Sequence, residues 1–219
     1  MRRSLGVASL DMKGPGLIAG LGNPGSEYRD TRHNAGFMLA ERLSGAWGAI
    51  WRQEDKFLAS LAECRFADRR WLLCRPQTYM NASGEAVQRL AGFYRVSPDR
   101  ILILVDDADL PLGTLRLRPE GSAGGHHGLE SVEQHLGTRA YPRLRLGIAR
   151  PQFTRRDLVG HVLGRLSPEE GPVWELMLQR AVRQVECWAT EGVSVAMNRY
   201  NGPAPAGPDT SANAERKSQ

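Results

Sequence analysis

Two residue types that perform acid–base chemistry stand in segments where a site could be built. His33 lies in Thr31-Arg32-His33-Asn34-Ala35-Gly36, and Asp106 in Val105-Asp106-Asp107-Ala108-Asp109-Leu110-Pro111. A neutral imidazole can take a proton from water, and a carboxylate accepting from its other ring nitrogen fixes the tautomer and stabilises the imidazolium. Asp30 or Thr31 can cap a helix whose first turn holds His33. The partial positive charge of a helix start favours the uncharged ring, so His33 is expected to be neutral and fit to act as a base. The competing reading is a structural histidine.

Three further segments offer polar groups. Gly20-Leu21-Gly22-Asn23-Pro24-Gly25 follows a strand-like run and matches G-x-G-x-x-G. A dinucleotide site needs a helix to open in that loop and a strand ending in an acid about 20 residues on. Pro24 and the polar stretch after it argue against both, so the segment reads as a turn that presents Asn23 at the carboxyl edge of a sheet. Pro76-Gln77-Thr78-Tyr79-Met80-Asn81-Ala82-Ser83-Gly84 is either a helix start capped by Asn81 or Ser83, or a segment whose Asn81 offers an amide to a polar substrate. Gly121-Ser122-Ala123-Gly124-Gly125-His126-His127-Gly128-Leu129 is a glycine-rich loop opening a helix, a geometry suited to phosphate or carbonyl oxygens.

The acids at 106, 107 and 109 could hold a metal, orient a histidine or solvate a loop. A metal set of Asp106, Asp109, His126 and His127 is disfavoured, because adjacent side chains seldom point at one ion and no H-x-x-x-H or H-x-H spacing occurs. No G-x-S-x-G elbow is present, which favours direct attack by water over an acyl-enzyme.

The elements that must position these residues alternate along the chain. Strand-like runs cover 16–22, 57–66, 71–75, 101–106, 114–118 and 143–149, and helical patterns cover 31–43, 83–94, 129–136 and 168–190. Ile101 to Val105 is continuously apolar, as expected of a strand buried on both faces. Residues 67–70 read as a hairpin turn. In the last helix Val173, Leu176, Met177, Ala181, Val185 and Trp188 share a face, and Ser167-Pro168-Glu169-Glu170 is a start signal. The fold class is therefore α/β: a single domain with a mixed twisted sheet flanked by helices. Residues 1–14 read as a flexible extension in which Met12 is a possible start, 15–201 as the domain, and 202–219 as a disordered tail.

The chain has 219 residues, enough for a substantial core. With 29 Lys and Arg against 24 Asp and Glu its net charge of +5 is compatible with a phosphate-rich partner. Cys64, Cys74 and Cys187 are too few and too scattered for a disulfide framework or a zinc site, which suits a reducing cytoplasm. No apolar run can span a bilayer, and the first ten residues are too short for a secretory core.

Together these segments resemble bacterial peptidyl-tRNA hydrolase. The stretches that carry the resemblance are LIAGLGNPGSEYRDTRHNAGF, CRPQTYMNASGEAV, ILVDDADLPLGTLRLRPEGSAGGHHGLESV, RLRLGIARP and AMNRYN, from about Gly16 to Asn201. The resemblance implies a small monomeric α/β enzyme without cofactor or metal. Such an enzyme releases peptides from peptidyl-tRNA dropped by ribosomes, by hydrolysing the ester to the terminal ribose. It implies His33 as the catalytic base and Asp106 as its acid. It also implies that Asn23 and Asn81 bind the peptide main chain and help place the water; Asn23 is further expected to donate to the developing oxyanion. Tyr28 falls near the tRNA end, and Tyr79 and Met80 join Asn81 among the substrate contacts. Arg118 falls on the residue that grips the tRNA 5′ phosphate, and a second basic contact on Arg143 or Arg145. His127 stands where the family usually has Asn, a position expected to contact substrate, and Arg150-Pro151 stands where many relatives have His-Pro. Two other functions compete: a non-catalytic RNA-binding protein on the same scaffold, and a hydrolase dependent on the metal set above.

Overall fold

A computed structural model describes residues 14–150 and 158–204. Its strands are β1 (Gly16–Gly20), β2 (Trp51–Glu54), β3 (Ala59–Phe66), β4 (Arg69–Pro76), β5 (Ile101–Pro111), β6 (Thr114–Arg118), β7 (Arg143–Ala149) and β8 (Gly202–Pro203). Its helices are α1 (Ala35–Ala46), α2 (Ser83–Tyr94), α3 (His127–Leu136), α4 (Leu158–Val162), α5 (Gly171–Glu191) and α6 (Val193–Tyr200). The strands form one mixed sheet in the order β2-β3-β4-β1-β5-β7-β6-β8. The central strands β4, β1, β5 and β7 run parallel, and the strands outside them pair antiparallel.

Alternation along the central strands builds two cores. Ile18, Leu102 and Leu104 face a layer that includes Leu39 and Leu43 of α1 and Met177, Ala181 and Val185 of α5. Leu17, Ala19, Ile101, Ile103 and Val105 face the other layer, with Val87 and Leu90 of α2 and Leu129 and Val132 of α3. Apolar residues on both faces of β1 and β5 are what a parallel strand between two helical layers requires.

From β1 the chain crosses to β4 on one side, and from β4 it returns to β5 on the other. The carboxyl ends of β1 and β5 therefore flank a topological switch point, where open α/β sheets leave a crevice. Close packing brings α1 down onto that crevice. A Cβ at Gly36 would lie 2.3 Å from the Leu104 carbonyl oxygen, and one at Gly20 would lie 2.2 Å from that of Gly36. Only glycine at both positions lets the turn before α1 reach the ends of β1 and β5.

Several elements differ from their sequence expectation. β1 stops at Gly20, since Leu21 onward belongs to the turn. β5 continues past Asp106 to Pro111 with a bulge between Asp107 and Pro111 against β7. The β3–β4 hairpin turns on two residues, Ala67 and Asp68, both left-handed, as a two-residue hairpin demands. Edge strand β2 and helices α4 and α6 were not anticipated. On α5, Trp174 and Leu178 are buried while Val173 is exposed, which rotates the expected face slightly. The expected tail begins with two paired residues: β8 bonds to β6, and the Asn201 amide accepts from the Leu117 N–H at 2.7 Å and donates to its carbonyl at 3.1 Å. Met12 and residues 1–13 and 205–219 lie outside the described residues.

Candidate active site

Asn23 sits just beyond β1 and is held at three atoms. Its N–H donates to Asn34 Oδ1 at 2.8 Å, and its carbonyl accepts from Asn34 Nδ2 at 3.0 Å. Its own Oδ1 accepts from the Met80 N–H at 2.7 Å. A backbone donor at that distance fixes the amide orientation, so Nδ2 is left as a donor, and among the described residues nothing accepts from it.

His33 lies in a short 3-10 turn, Arg32–Asn34, ahead of α1 rather than in the first turn of the helix itself. Its Nδ1 is 3.0 and 3.1 Å from the two carboxylate oxygens of Asp106 on β5. An ionised carboxylate only accepts, so Nδ1 carries the proton and Nε2 holds the lone pair. Among the described residues nothing pairs with Nε2.

Asp106 has a second imidazole partner. His126 Nε2 is 3.0 Å from Asp106 Oδ1, while His126 Nδ1 accepts from the N–H groups of Gly128 and Leu129 at 3.1 and 3.4 Å as the cap of α3. The cap decides the tautomer: Nδ1 must accept, so Nε2 carries the proton and donates to Asp106. The glycine loop thus reaches the carboxylate through His126, and the rings of His33 and His126 stand 5.2 Å apart.

These contacts set the charges. Burial alone would raise the Asp106 carboxyl, which is 2% exposed, but His126 and His33 outweigh it and hold the group well below its ordinary 3.8. Burial alone would lower His33, yet the Asp106 charge and hydrogen bond outweigh that and raise it above 6.5. The helix start does not set the direction of this shift: the adjacent carboxylate, in direct contact, outweighs a weak field from a turn that only precedes α1 and moves His33 upward.

Ligand atoms of His33, Asp106 and His126 lie within 4.8 Å of one another. Asp109 and His127 of the metal set disfavoured above do not join them. The cap makes His126 a poor ligand, since a metal needs the lone pair on Nε2 and that nitrogen bears the proton.

A cavity of about 710 Å³ opens over the cluster, walled by Asn23, His33, Asp106, His126, Arg118 and Arg145 among others. Arg118 is exposed on β6. Arg145 is half-buried, 3.2 Å from Asp107 Oδ2, and donates to the Ser122 and Ala123 carbonyls. Arg143 also lines this cavity. It is 1% exposed, and its guanidinium is taken up by the carbonyls of Tyr141, Gly121 and Arg139. It therefore anchors the glycine loop from the cavity wall.

The other expected residues are more dispersed. Met80 is buried beneath Gly128, so its part is its N–H on Asn23 rather than a side-chain contact. Asn81 and Tyr79 are exposed and Tyr28 half-buried, all three outside the walls of this cavity. His127 is on the rim, largely exposed, with Nδ1 2.9 Å from Glu130 Oε2. Sequence reasoning missed Asn34 as the holder of Asn23 and His126 as the partner of Asp106. A histidine directly before a helix, where a cap belongs, was the available signal for the second.

Residues 17–208 match the family model described as peptidyl-tRNA hydrolase. A peptidyl-tRNA hydrolase of Synechococcus sp. (strain JA-3-3Ab) is 49% identical over 193 residues, covering 88% of this chain and 85% of its own. One of Desulforamulus reducens is 43% identical over 185 residues, 84% of this chain and 88% of its own. The crystal structure of peptidyl-tRNA hydrolase from Acinetobacter baumannii is similar with a TM-score of 0.83 at 37% identity, covering 89% of this chain and 98% of that one.

Proposed function

The chain belongs to the peptidyl-tRNA hydrolase family and hydrolyses peptidyl-tRNA, and we propose that it does so by water attack driven by His33. The observation that carries this reading is the Nδ1 contact of His33 with Asp106, which leaves Nε2, unpaired among the described residues, in a cavity that Asn23 also lines. Nε2 takes a proton from water as the oxygen attacks the ester carbonyl, and Asp106 stabilises the imidazolium that forms. The Asn23 Nδ2 donates to the carbonyl oxygen as it becomes negative. When the tetrahedral species collapses, the proton on Nε2 passes to the departing ribose oxygen, giving free tRNA and the peptide acid. No metal enters these steps. Asn81, Tyr79 and Tyr28 contact the peptide and the tRNA end, His127 contacts the substrate at the rim, and Arg118 and Arg145 hold phosphate.

The enzyme acts as a cytoplasmic monomer that recycles tRNA lost from ribosomes. The family's link to translation supports this reading.

Release of tRNA from N-acetyl-aminoacyl-tRNA in EDTA, by wild type and His33→Ala, tests the mechanism. Wild type should keep full activity and the variant should lose about 10²–10⁴-fold. Loss of wild-type activity in EDTA, restored by a transition metal, would sink the metal-free base.

A further inference from the structure

Glu170 lies outside the cavity and touches no group in the reaction above, yet it gathers partners from three parts of the chain. Arg32 Nη2 donates to its Oε2 at 2.6 Å. Arg150, just past the end of β7, donates from Nε to Oε1 at 2.6 Å and from Nη2 to Oε2 at 2.8 Å. The Ser167 N–H donates to Oε2 at 2.7 Å. The hydrogen bonds from Arg150 foremost, with those of Ser167 and Arg32, hold this carboxyl at about 2, so it is ionised at any working pH.

Arg32 is the residue before His33 and is 2% exposed. Its other amino group is 3.4 Å from the His161 carbonyl, its N–H donates to Gly164 at 3.0 Å, and Thr31 bridges Arg165. The turn bearing His33 is thereby stitched to the segment that runs from α4 to α5. The same segment walls the cavity with Leu158, Val159, Val162 and Leu163. One carboxylate thus fixes the turn of the base, the end of β7 and the stretch leading from the cavity wall.

Stability is a poor explanation for this arrangement. A buried ion pair repays little more than its desolvation, and here Arg32 Nε is buried with no partner among the described residues. An apolar side chain would fill the space at less cost. What an apolar residue could not supply is a fixed direction for the backbone beside His33.

We propose that Glu170 is a positioning residue for the hydrolysis, holding His33 at its working distance from the substrate through Arg32, with Arg150 steering the carboxylate. The proposal rests on His33 being the base.

The test is steady-state hydrolysis of N-acetyl-aminoacyl-tRNA by Glu170→Gln and Arg150→Gln, each alone and combined with His33→Ala. Displacing a catalytic group by about 1 Å can cost about 100-fold, so Glu170→Gln should lower kcat about 10- to 100-fold and leave KM nearly unchanged. In the His33→Ala background it should cost nothing further, because a residue that acts through His33 has nothing left to act on. Arg150→Gln, on the exposed side of the carboxylate, should show a smaller loss of the same kind, and it carries the test if Glu170→Gln does not fold. A folded Glu170→Gln with wild-type kcat, or the same loss with and without His33, would overturn the proposal alone. A His33→Ala enzyme as fast as wild type would overturn the base assignment and this proposal with it.

Discussion

The side chain of Asn34 grips both polar atoms of the Asn23 backbone, accepting its N–H at 2.8 Å and donating to its carbonyl at 3.0 Å. Asn34 is 2% exposed and next to His33, so the proposed base and the proposed oxyanion donor are fixed to one another through a single peptide unit. Arg32, on the other flank of His33, reaches away to Glu170. The imidazole stands between two anchored neighbours, which is how a loop residue acquires the precision of a strand residue.

Asn23→Asp isolates the donor. The variant keeps the oxygen that accepts from Met80 and the backbone held by Asn34, but replaces Nδ2 with an acceptor. Its kcat should fall about 10²–10³-fold, the usual loss for one preorganised oxyanion donor. Rates at saturating N-acetyl-aminoacyl-tRNA decide it; a change confined to KM would assign Asn23 to binding alone.

The raised His33 sets the pH profile. A protonated ring cannot act as base, so kcat/KM should climb with pH through a midpoint above 6.5. Asp106→Asn removes the charge that raises His33, so the midpoint should move down while the plateau falls by up to about 10⁴-fold. For stability the signs are opposite for the two partners. The contribution of Asp106 is present above 3.8 and lost as pH falls through its depressed folded value, whereas that of His33 is complete below 6.5 and lost as pH rises through its raised value. Acid and neutral denaturation series on wild type and Asp106→Asn would reveal both limbs; a variant profile superimposable on wild type would refute the pairing.

The arginines should separate by salt. Each phosphate contact contributes about one unit to the slope of log affinity against log salt, so Arg118→Ala should reduce that slope by close to one for tRNA binding. Arg143→Met should leave the slope alone and cost about 1–3 kcal/mol of stability, because three carbonyls, that of buried Tyr141 among them, lose their donor. Titrations at several ionic strengths beside urea melts would show the difference, and a salt-slope change in Arg143→Met would reverse the assignment.

His127→Asn restores the family's usual residue at an exposed position whose side chain pairs with Glu130. Stability should change by less than about 0.5 kcal/mol. If the histidine supplies the same hydrogen bond as Asn, kcat/KM at pH 8 should be nearly equal in the two chains. A large gain in the variant would identify His127 as a handicap this chain tolerates.

Much of this was legible before any coordinates. The apolar run Ile101 to Val105 announced a strand buried on both faces, and the acid that follows it could be placed at a carboxyl edge. His33, Asp106 and Asn23 do meet at one cavity. What escaped was whatever depends on a partner distant in sequence. Arg143 and Arg145 share one face of β7 and look equivalent in RLRLGIA, yet the carbonyls of Tyr141, Gly121 and Arg139 take up the first while the second stays partly exposed. Strand β2, Trp51–Glu54, is polar at all but Trp51 because it is an edge with one antiparallel neighbour, so it lacks the apolar signature of the interior. The role of Asn34 is invisible until the turn after β1 is seen beside it.

The seal on the outer edge of β6 has a consequence for the life of the protein at high concentration. An open strand edge is a template on which another chain can add, and such addition ends in aggregates. Here the outward groups of Leu117 are taken by the Asn201 amide, and the strip beyond is only two residues long and ends in Pro203, which has no N–H to offer a newcomer. Residues 201–203 therefore act as a stopper against self-templating, and a chain shortened to residue 200 would keep its catalytic cavity while losing its protection from its own copies.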